Sequence, residues 1–145
     1  MNVFLDTNVL VAASEENHPH YAQARPALRR VALGEDKGFM GAHSIAEIFA
    51  TLTRLPVQPR IHPVEAVRII TDNILPHFEV IPIGKKDYIE ALRMIVDGGW
   101  SGAKIYDALL VGCAARCPAD RIYTFNLGDF RLLAPAALRE KVCAP

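Results

Sequence analysis

FLDTNVLV, residues 4–11, places a carboxylate, a hydroxyl and an amide directly between two apolar runs. The apolar run that ends at Leu5 predicts a short buried strand over residues 2–5, and Thr7 or Asn8 suits the start of a helix after it. Asp6 then stands at the end of that strand. On this stretch alone, helix-start chemistry explains Asp6 as well as a catalytic site does. Other parts of the chain are needed to choose between the two.

Composition indicates a globular protein with no overall attraction for nucleic acid. The chain has 145 residues, of which 51% are hydrophobic and 22% are charged, and its formal net charge is zero. That length suits a single compact domain over residues 1–145, and the balance excludes disordered and fibrous classes. Binding of a polyanion would therefore need a local basic patch or bound cations.

The cysteines and the apolar stretches predict a cytoplasmic location. Cys113, Cys117 and Cys143 offer too few ligands for a zinc site, so we expect free thiols in a reducing compartment. The N-terminal residues lack the pattern of a secretory signal. No apolar stretch reaches the roughly 20 residues that a membrane-spanning helix requires.

Short apolar strands and helices alternate along the chain. Pro63 suits the first turn of one of the helices. After the first strand, we predict strands at 38–42, 78–83 and 121–125, helices at 21–33, 44–54, 63–75, 86–99 and 102–116, a turn at 126–129 and a short helix at 135–141. This order is typical of a buried parallel sheet with helices on both faces. We therefore predict an α/β fold, a three-layer α/β/α domain with a central, mostly parallel sheet.

Acidic residues fall near the predicted carboxyl ends of the strands, where open parallel sheets bind their ligands. Each follows a strand or lies on a helix beside one: Asp6 after the first strand, Glu47 past the second, Asp129 after the strand at 121–125, and Asp107 on the helix before that strand. Side chains at this edge of the sheet are able to converge on one cleft.

Most of these acids also have structural explanations. Ser44 and Glu47 have the spacing of a helix capping box, and Asp129 suits a turn in the sequence NLGDF. Asp107 is harder to explain, because burying an unpaired carboxylate in an apolar helix is costly. Its only partner nearby in sequence is Lys104, so a metal ion is an alternative means of compensation.

Gathering such acids in one place favours a bound cation. Carboxylates roughly 4–5 Å apart repel by several kcal/mol per pair at an effective dielectric of about 20, which a proton or a cation offsets. Oxygen ligands without histidine or cysteine favour Mg²⁺ or Mn²⁺ over zinc. Such an ion activates water and orients a phosphodiester, and it would attract a phosphate that the neutral chain does not.

Four sequence blocks together resemble the signature of a known family. They are FLDTNVLV (4–11), HSIAEIFATLTR (43–54), GAKIYDALLVGCA (102–114) and IYTFNLGDF (122–130). In order and spacing they resemble the PIN-domain ribonucleases, and most nearly the VapC-type toxins of type II toxin–antitoxin modules. The resemblance spans nearly the whole chain and implies a PIN-like fold.

By position, the resemblance implies that Asp6, Glu47 and Asp107 are catalytic residues and metal ligands. Its fourth position falls in the last block, where some members have an aspartate in place of Asn126. Asp129 is then the remaining acidic candidate as catalytic residue and ligand. Five further residues would support the ligands or contact substrate: Thr7, Asn8, Ser44, Thr124 and Asn126. One carboxylate fewer weakens the site for a second ion, so the number of bound ions, one or two, stays open.

The resemblance also implies an activity and partners. It implies an endoribonuclease that cleaves RNA phosphodiesters with Mg²⁺ or Mn²⁺ as cofactor. A cognate antitoxin would neutralise the enzyme by inserting a peptide into the active-site groove. The resemblance further implies a homodimer, to which the predicted helices at 44–54 and 63–75 would contribute, and no membrane association.

Basic and aromatic residues near these blocks are candidates for contacts with RNA. Arg54, Lys104 and Arg131 are suited to hold phosphates. Trp100 or Tyr106 is suited to stack on a base, although packing explains these two aromatic residues equally well. We assign no catalytic role to any of the five histidines.

Three other functions stay open. A free-standing PIN-type RNA-processing nuclease would share the site but lack the antitoxin, and a non-catalytic PIN-like module would bind RNA or protein without cleavage. A haloacid-dehalogenase-like phosphatase would use Asp6 as its nucleophile, but it requires a second aspartate where this chain has Asn8. RNA cleavage, Mn²⁺ binding and trapping of a phosphoaspartate distinguish these functions.

Overall fold

A computed structural model describes the whole chain, Met1–Pro145. It contains five strands and eight α-helices in the order β1 (Asn2–Leu5), α1 (Thr7–Ser14), α2 (Tyr21–Ala32), β2 (Lys37–Gly41), α3 (His43–Leu52), α4 (Pro63–Arg68), β3 (Phe78–Ile81), α5 (Lys85–Asp97), α6 (Lys104–Ala115), β4 (Arg121–Tyr123), α7 (Leu127–Leu133), α8 (Ala136–Arg139) and β5 (Val142–Cys143). A π-helix (Ile69–Ile74) and a 3₁₀ turn (Leu75–His77) continue from α4 towards β3.

The five strands form one parallel sheet in the order β3-β2-β1-β4-β5. In the centre, Phe4 of β1 pairs with Phe39 of β2 on one side and with Ile122 of β4 on the other. The chain runs outward from β1 to β3 on one side and from β4 to β5 on the other. The order therefore reverses between β1 and β4, which is the position where open α/β sheets bind ligands.

Helices cover both faces of the sheet. Val3 and Leu5 of β1 enter an apolar cluster with α1, α2, α3 and α4, whereas Phe4 enters a second cluster with α5, α6 and α7. Alternate residues of a strand point to opposite faces, so one short apolar strand contributes to both cores. The predicted three-layer α/β/α fold with a parallel sheet is confirmed.

Several predicted elements differ from the structure at their ends. Residues 126–129, predicted as a turn, form the N-cap and the first turn of α7, and the fully buried Phe130 fixes this helix against the sheet. The predicted helix at 63–75 is regular only over α4, although Pro63 does occupy its first turn. Strand β5 has only two residues and was not predicted. No helix combines the length and the apolar character that crossing a membrane requires.

An ion pair fixes the connection that leads into β2. The side chain of Asp36 is only 3% exposed. Its carboxylate accepts hydrogen bonds from the Arg30 guanidinium at 2.7 and 3.2 Å and from the Met1 ammonium at 2.8 Å. The hydrogen bond from Arg30 is the main reason that the pKa of Asp36 is lowered to about 2.

We expect this ion pair to make the stability of the fold fall in acid. The carboxyl of Asp36 has a pKa of about 2 in the fold and about 3.9 in an unfolded chain, so its contribution is complete above about pH 4 and is lost as the pH falls towards 2. Because Arg30 is half exposed, we reduce the expected contribution to about 1 kcal/mol. Urea denaturation of Asp36→Asn should show that loss at pH 6 and much less at pH 2.5.

A matched control for this prediction is Glu35→Gln. Glu35 also pairs with Arg30, at 3.1 Å, but its side chain is 48% exposed, and we expect a smaller change at either pH. An equal loss of stability in Asp36→Asn at both pH values would contradict the role of the carboxylate charge.

Candidate active site

Asp6 stands at the centre of the carboxyl edge of the sheet and is held there by the chain after β4. The backbone N–H of Asp6 donates to the carbonyl oxygen of Tyr123 at 2.9 Å, and its carboxylate Oδ2 accepts from the Thr124 hydroxyl at 2.7 Å. Asp6 is 3% exposed. Its side chain does not cap α1, so helix capping does not explain this carboxylate.

Hydroxyl groups join α1 to α3 beside Asp6. The Oγ atoms of Thr7 and Ser44 share a hydrogen bond of 2.8 Å, and the Thr7 hydroxyl also donates to Glu47 Oε1 at 3.4 Å. Because α3 begins one residue before Ser44 and has no side-chain cap, the predicted capping box of Ser44 and Glu47 is wrong. Glu47 instead lies half-buried at the same opening as Asp6.

The side chain of Asn8 connects the start of α1 to the residues that follow β4. Its amide Oδ1 accepts from the backbone N–H of Phe125 at 3.2 Å, and its Nδ2 donates to the Thr124 hydroxyl at 3.4 Å. Thr124 is fully buried. Thr124 and Asn8 thus tie the start of α1 to the segment after β4, and Thr124 holds one oxygen of Asp6 in a fixed position.

Asp107 and Asp129 are connected through one amide. Asn126 Nδ2 donates to Asp107 Oδ2 at 2.8 Å and to Asp129 Oδ2 at 3.0 Å. The Lys104 ammonium lies 3.1 Å from Asp129 Oδ1. Lys104 therefore pairs directly with Asp129, and Asp107 has no basic partner in direct contact.

One open depression of about 290 Å³ brings Asp6, Glu47 and Asp107 together at the carboxyl edge of the sheet. The remaining lining residues are Thr7, Asn8, Val11, His18, His20, Thr51, Leu110 and Phe125. Asp129 does not line it, and its side chain is 39% exposed. The structure thus places three of the four predicted acids at one opening and the fourth beside it.

Burial raises the pKa of all three acids in the depression. It raises the pKa of Asp6 to about 7 and that of Asp107 to about 6, and it also raises the pKa of Glu47. Repulsion adds to the increase, from Asp107 and Glu47 on Asp6, and from Asp129 and Glu47 on Asp107. By contrast, hydrogen bonds from Asn126 and Lys104 lower the pKa of Asp129.

The donor set of the depression suits a hard divalent cation. Three carboxylates line the depression with His18 and His20 but no cysteine, and the carboxylate oxygens favour Mg²⁺ or Mn²⁺. Asp107 Oδ1 and Glu47 Oε2 accept no hydrogen bond within the protein. In the conformation of this structure, no group of three side chains of histidine, cysteine, aspartate or glutamate lies close enough together to hold one ion. The residues present fit such an ion by the chemistry of their donor atoms, and binding one would require these side chains to move closer together.

The predicted phosphate contacts have different surroundings. Arg54 lines a second depression, which adjoins the first. The Arg54 guanidinium has no carboxylate partner. Arg131 donates to a backbone carbonyl of β5 at 3.0 Å and so helps to hold the edge of the sheet. The ammonium of Lys104 already contacts Asp129 and also lies 5.0 Å from the centre of the Trp100 ring.

Three histidines to which the sequence pattern assigned no role lie close to the acids. His18 and His20 line the depression, and His43 lines the neighbouring one. His18 and His20 follow α1, outside the four sequence blocks, so nothing in their local pattern indicated this position. His43 precedes Ser44 at the start of one block, which was the only available signal.

Comparisons with known proteins agree with the fold and the four sequence blocks. The PIN domain family profile matches residues 3–134. VapC20 of Mycobacterium tuberculosis, a sarcin–ricin loop cleaving toxin, has a similar crystal structure, with a TM-score of 0.67, 18% identity, and coverage of 90% of this chain and 93% of that chain. VapBC2 of Rickettsia felis, in a crystal structure with a DNA fragment from its promoter, is also similar. Its TM-score is 0.58 at 20% identity, with coverage of 88% of this chain and 89% of that chain.

No curated protein sequence matches the chain significantly. The two crystal structures share less than a quarter of their residues with this chain, and their likeness concerns the fold. The family profile, in contrast, extends over most of the sequence and includes all four blocks. This protein therefore belongs to the PIN domain family.

Proposed function

We propose that this protein is a divalent-metal-dependent endoribonuclease and acts as the toxin of a toxin–antitoxin pair. The observation that carries the proposal is the grouping of Asp6, Glu47 and Asp107 in one depression, with none of them in an ion pair. Uncompensated acids at the carboxyl edge of a parallel sheet are costly to the fold. A function that uses their charge explains why that cost is retained.

In the proposed mechanism, Asp6, Glu47 and Asp107 hold Mg²⁺ or Mn²⁺, with Asp129 as the fourth candidate. The ion would supply Lewis-acid activation of water and neutralise charge on the phosphodiester. The protein's own contribution is to fix the ligands, since hydrogen bonds from Thr124, Thr7 and Asn126 each hold one carboxylate oxygen of Asp6, Glu47 and Asp107 respectively. Such supporting contacts orient ligands and keep the site pre-arranged.

The similar proteins support the proposed partners. VapC20 is a sarcin–ricin loop cleaving toxin, and we propose RNA as the substrate class here. The likeness to VapBC2 supports a cognate antitoxin. We also propose a cytoplasmic homodimer, for which Phe49 of α3 and Val67 of α4 offer apolar side chains that are 37% and 47% exposed.

The test of this proposal is RNA cleavage by the purified protein with Mg²⁺, with Mn²⁺ and with EDTA. We expect cleavage only with an ion, and none by Asp107→Asn purified in the same way. The matched control is Asp97→Asn, because Asp97 is an exposed aspartate at the end of α5, away from the depression. Cleavage by Asp107→Asn at the wild-type rate would refute the proposal.

Two further measurements separate the toxin from its alternatives. Growth arrest on expression, relieved by the product of a neighbouring antitoxin gene, supports the toxin, whereas cleavage without arrest supports a free-standing RNA-processing nuclease. Absence of Mn²⁺ binding in a calorimetric titration supports a non-catalytic module.

We expect Asp129→Asn to reduce cleavage much less than Asp107→Asn. Lys104 already neutralises Asp129, which lies beside the depression and not in it. A loss of roughly 10- to 100-fold in kcat/KM is the size found for residues that support metal ligands. Steady-state cleavage of one RNA by both variants checks this, and equal losses would make Asp129 a full ligand.

A further inference from the structure

Two aromatic stacks lie next to the acids. In the His20 stack, the rings of His20 and Phe125 have centres 4.6 Å apart and planes inclined at 24°. In the His43 stack, the rings of His43 and Tyr106 have centres 5.3 Å apart and planes at 5°. Both stacks are accessible from outside, since His20 is exposed and Tyr106 is 44% exposed.

The stacks lie in adjoining depressions. The His20 stack lines the depression that contains the three acids, and the His43 stack lines a second depression of about 300 Å³. Glu47 and Thr51 line both depressions. The two depressions therefore adjoin at Glu47 and Thr51, and each has an aromatic stack in its lining.

The second depression also contains a cation. Arg54 lines it, and the only hydrogen bond of its side chain is from Nε to a backbone carbonyl oxygen, at 3.1 Å. The terminal nitrogens of the guanidinium remain able to bind a phosphate, for which arginine is well suited. An exposed aromatic stack beside an unpaired arginine is an arrangement that binds a base and its phosphate together.

These features favour a single strand over a duplex. Bases in a duplex are stacked on one another and are not accessible to side-chain rings, whereas bases in single-stranded RNA stack on aromatic residues. Such stacking depends little on which base is present, because every base has a flat face. A path with two stacks would hold a strand in position without requiring one particular sequence.

We propose that the His20 stack and the His43 stack are base platforms of a path for single-stranded RNA. Bases on either side of the phosphate that faces the acids lie on the two stacks, and Arg54 binds a phosphate in the second depression. This inference rests on the proposed function, because it takes RNA as the substrate.

The test measures RNA binding separately from cleavage. Fluorescein-labelled single-stranded RNA of about ten nucleotides is titrated with the wild type, His20→Ala, Tyr106→Ala and the double variant, in EDTA at low salt, and anisotropy gives Kd. We expect each single change to weaken binding roughly tenfold and the double change roughly 100-fold. In cleavage assays, KM should rise while kcat changes little.

Conservative and distant variants serve as controls. Tyr106→Phe keeps the ring and should bind as the wild type does. Tyr88→Ala and His77→Ala remove exposed rings outside both depressions and should leave Kd unchanged. Binding to a blunt RNA duplex should not respond to any of the variants.

The outcomes for the two proposals are distinguishable. Wild-type Kd values in both His20→Ala and Tyr106→Ala, or no RNA binding by the wild type, would overturn the base platforms, even if the protein cleaves RNA. Weakened binding in both variants, from a wild type that cleaves no RNA, would keep the platforms and refute the nuclease.

Discussion

Replacing Asp6 by Asn is expected to abolish RNA cleavage and to make the fold more stable at the same time. The folded environment raises the pKa of Asp6 from 3.8 to about 7, which means that the ionised form destabilises the fold. Above pH 7 this penalty is complete, and below about pH 4 it is absent because both folded and unfolded chains are protonated. Asn keeps an oxygen that accepts from the Thr124 hydroxyl, but it carries no charge.

The expected size of these effects is large. We expect cleavage to fall by more than roughly 10³-fold, since residues that only support metal ligands already cost 10- to 100-fold. The free energy of unfolding should rise by roughly 2–4 kcal/mol at pH 8 in the presence of EDTA. Urea denaturation at pH 8 and pH 4 measures the second effect, and the gain should nearly disappear at pH 4.

The control for Asp6→Asn is Asp97→Asn, which removes an exposed charge. It should change neither RNA cleavage nor the free energy of unfolding. Loss of cleavage accompanied by loss of stability in Asp6→Asn would mean that the carboxylate supports the fold. In that case its position in the depression would not indicate a catalytic role.

Binding of Mn²⁺ should weaken roughly 20-fold between pH 8 and pH 6, because an ion binds the deprotonated carboxylates. With a pKa of about 7 for Asp6 and about 6 for Asp107, both acids are ionised at pH 8. At pH 6 Asp6 is mostly protonated and Asp107 is half protonated. Affinity therefore rises with pH, and protons are released when the ion binds.

Isothermal titration calorimetry at pH 6, 7 and 8 checks this prediction. Buffers with different ionisation enthalpies should reveal the release of between one and two protons per ion at pH 6. Asp6→Asn should bind the ion more weakly and lose most of the pH dependence. An affinity that does not change with pH would show that these carboxylates do not bind the ion.

The arrangement of the fold followed from local patterns. Each element near the site was predictable from its own residues. The apolar run before Asp6 has the length of a strand, and the segments at 44–54 and around Asp107 have the apolar pattern of helices. The alternation of strands and helices then restricts the sheet to a parallel one. The positions of Asp6, Glu47 and Asp107 at one opening follow from that arrangement alone, without any knowledge of side-chain contacts.

The parts that were missed depend on contacts between distant residues. Ser44 has the spacing of a helix cap, yet its hydroxyl bonds to Thr7, which is 37 residues away. Lys104 is nearest in sequence to Asp107, but it pairs with Asp129 once α7 has formed. The pattern NLGDF is typical of a turn, and burial of Phe130 makes it the start of a helix. No short sequence window contains both Thr7 and Ser44, or both Lys104 and Asp129.

The hydrogen bond between Thr124 and Asp6 joins residues that are 118 positions apart, and this has a consequence for synthesis in the cell. Translation at about 5–20 residues per second separates the appearance of these two residues by roughly 6–24 seconds. For almost all of that interval the nascent chain lacks β4, the strand that pairs with β1. A growing polypeptide on the ribosome therefore cannot assemble the site, and a truncated product that stops before Thr124 would be inert.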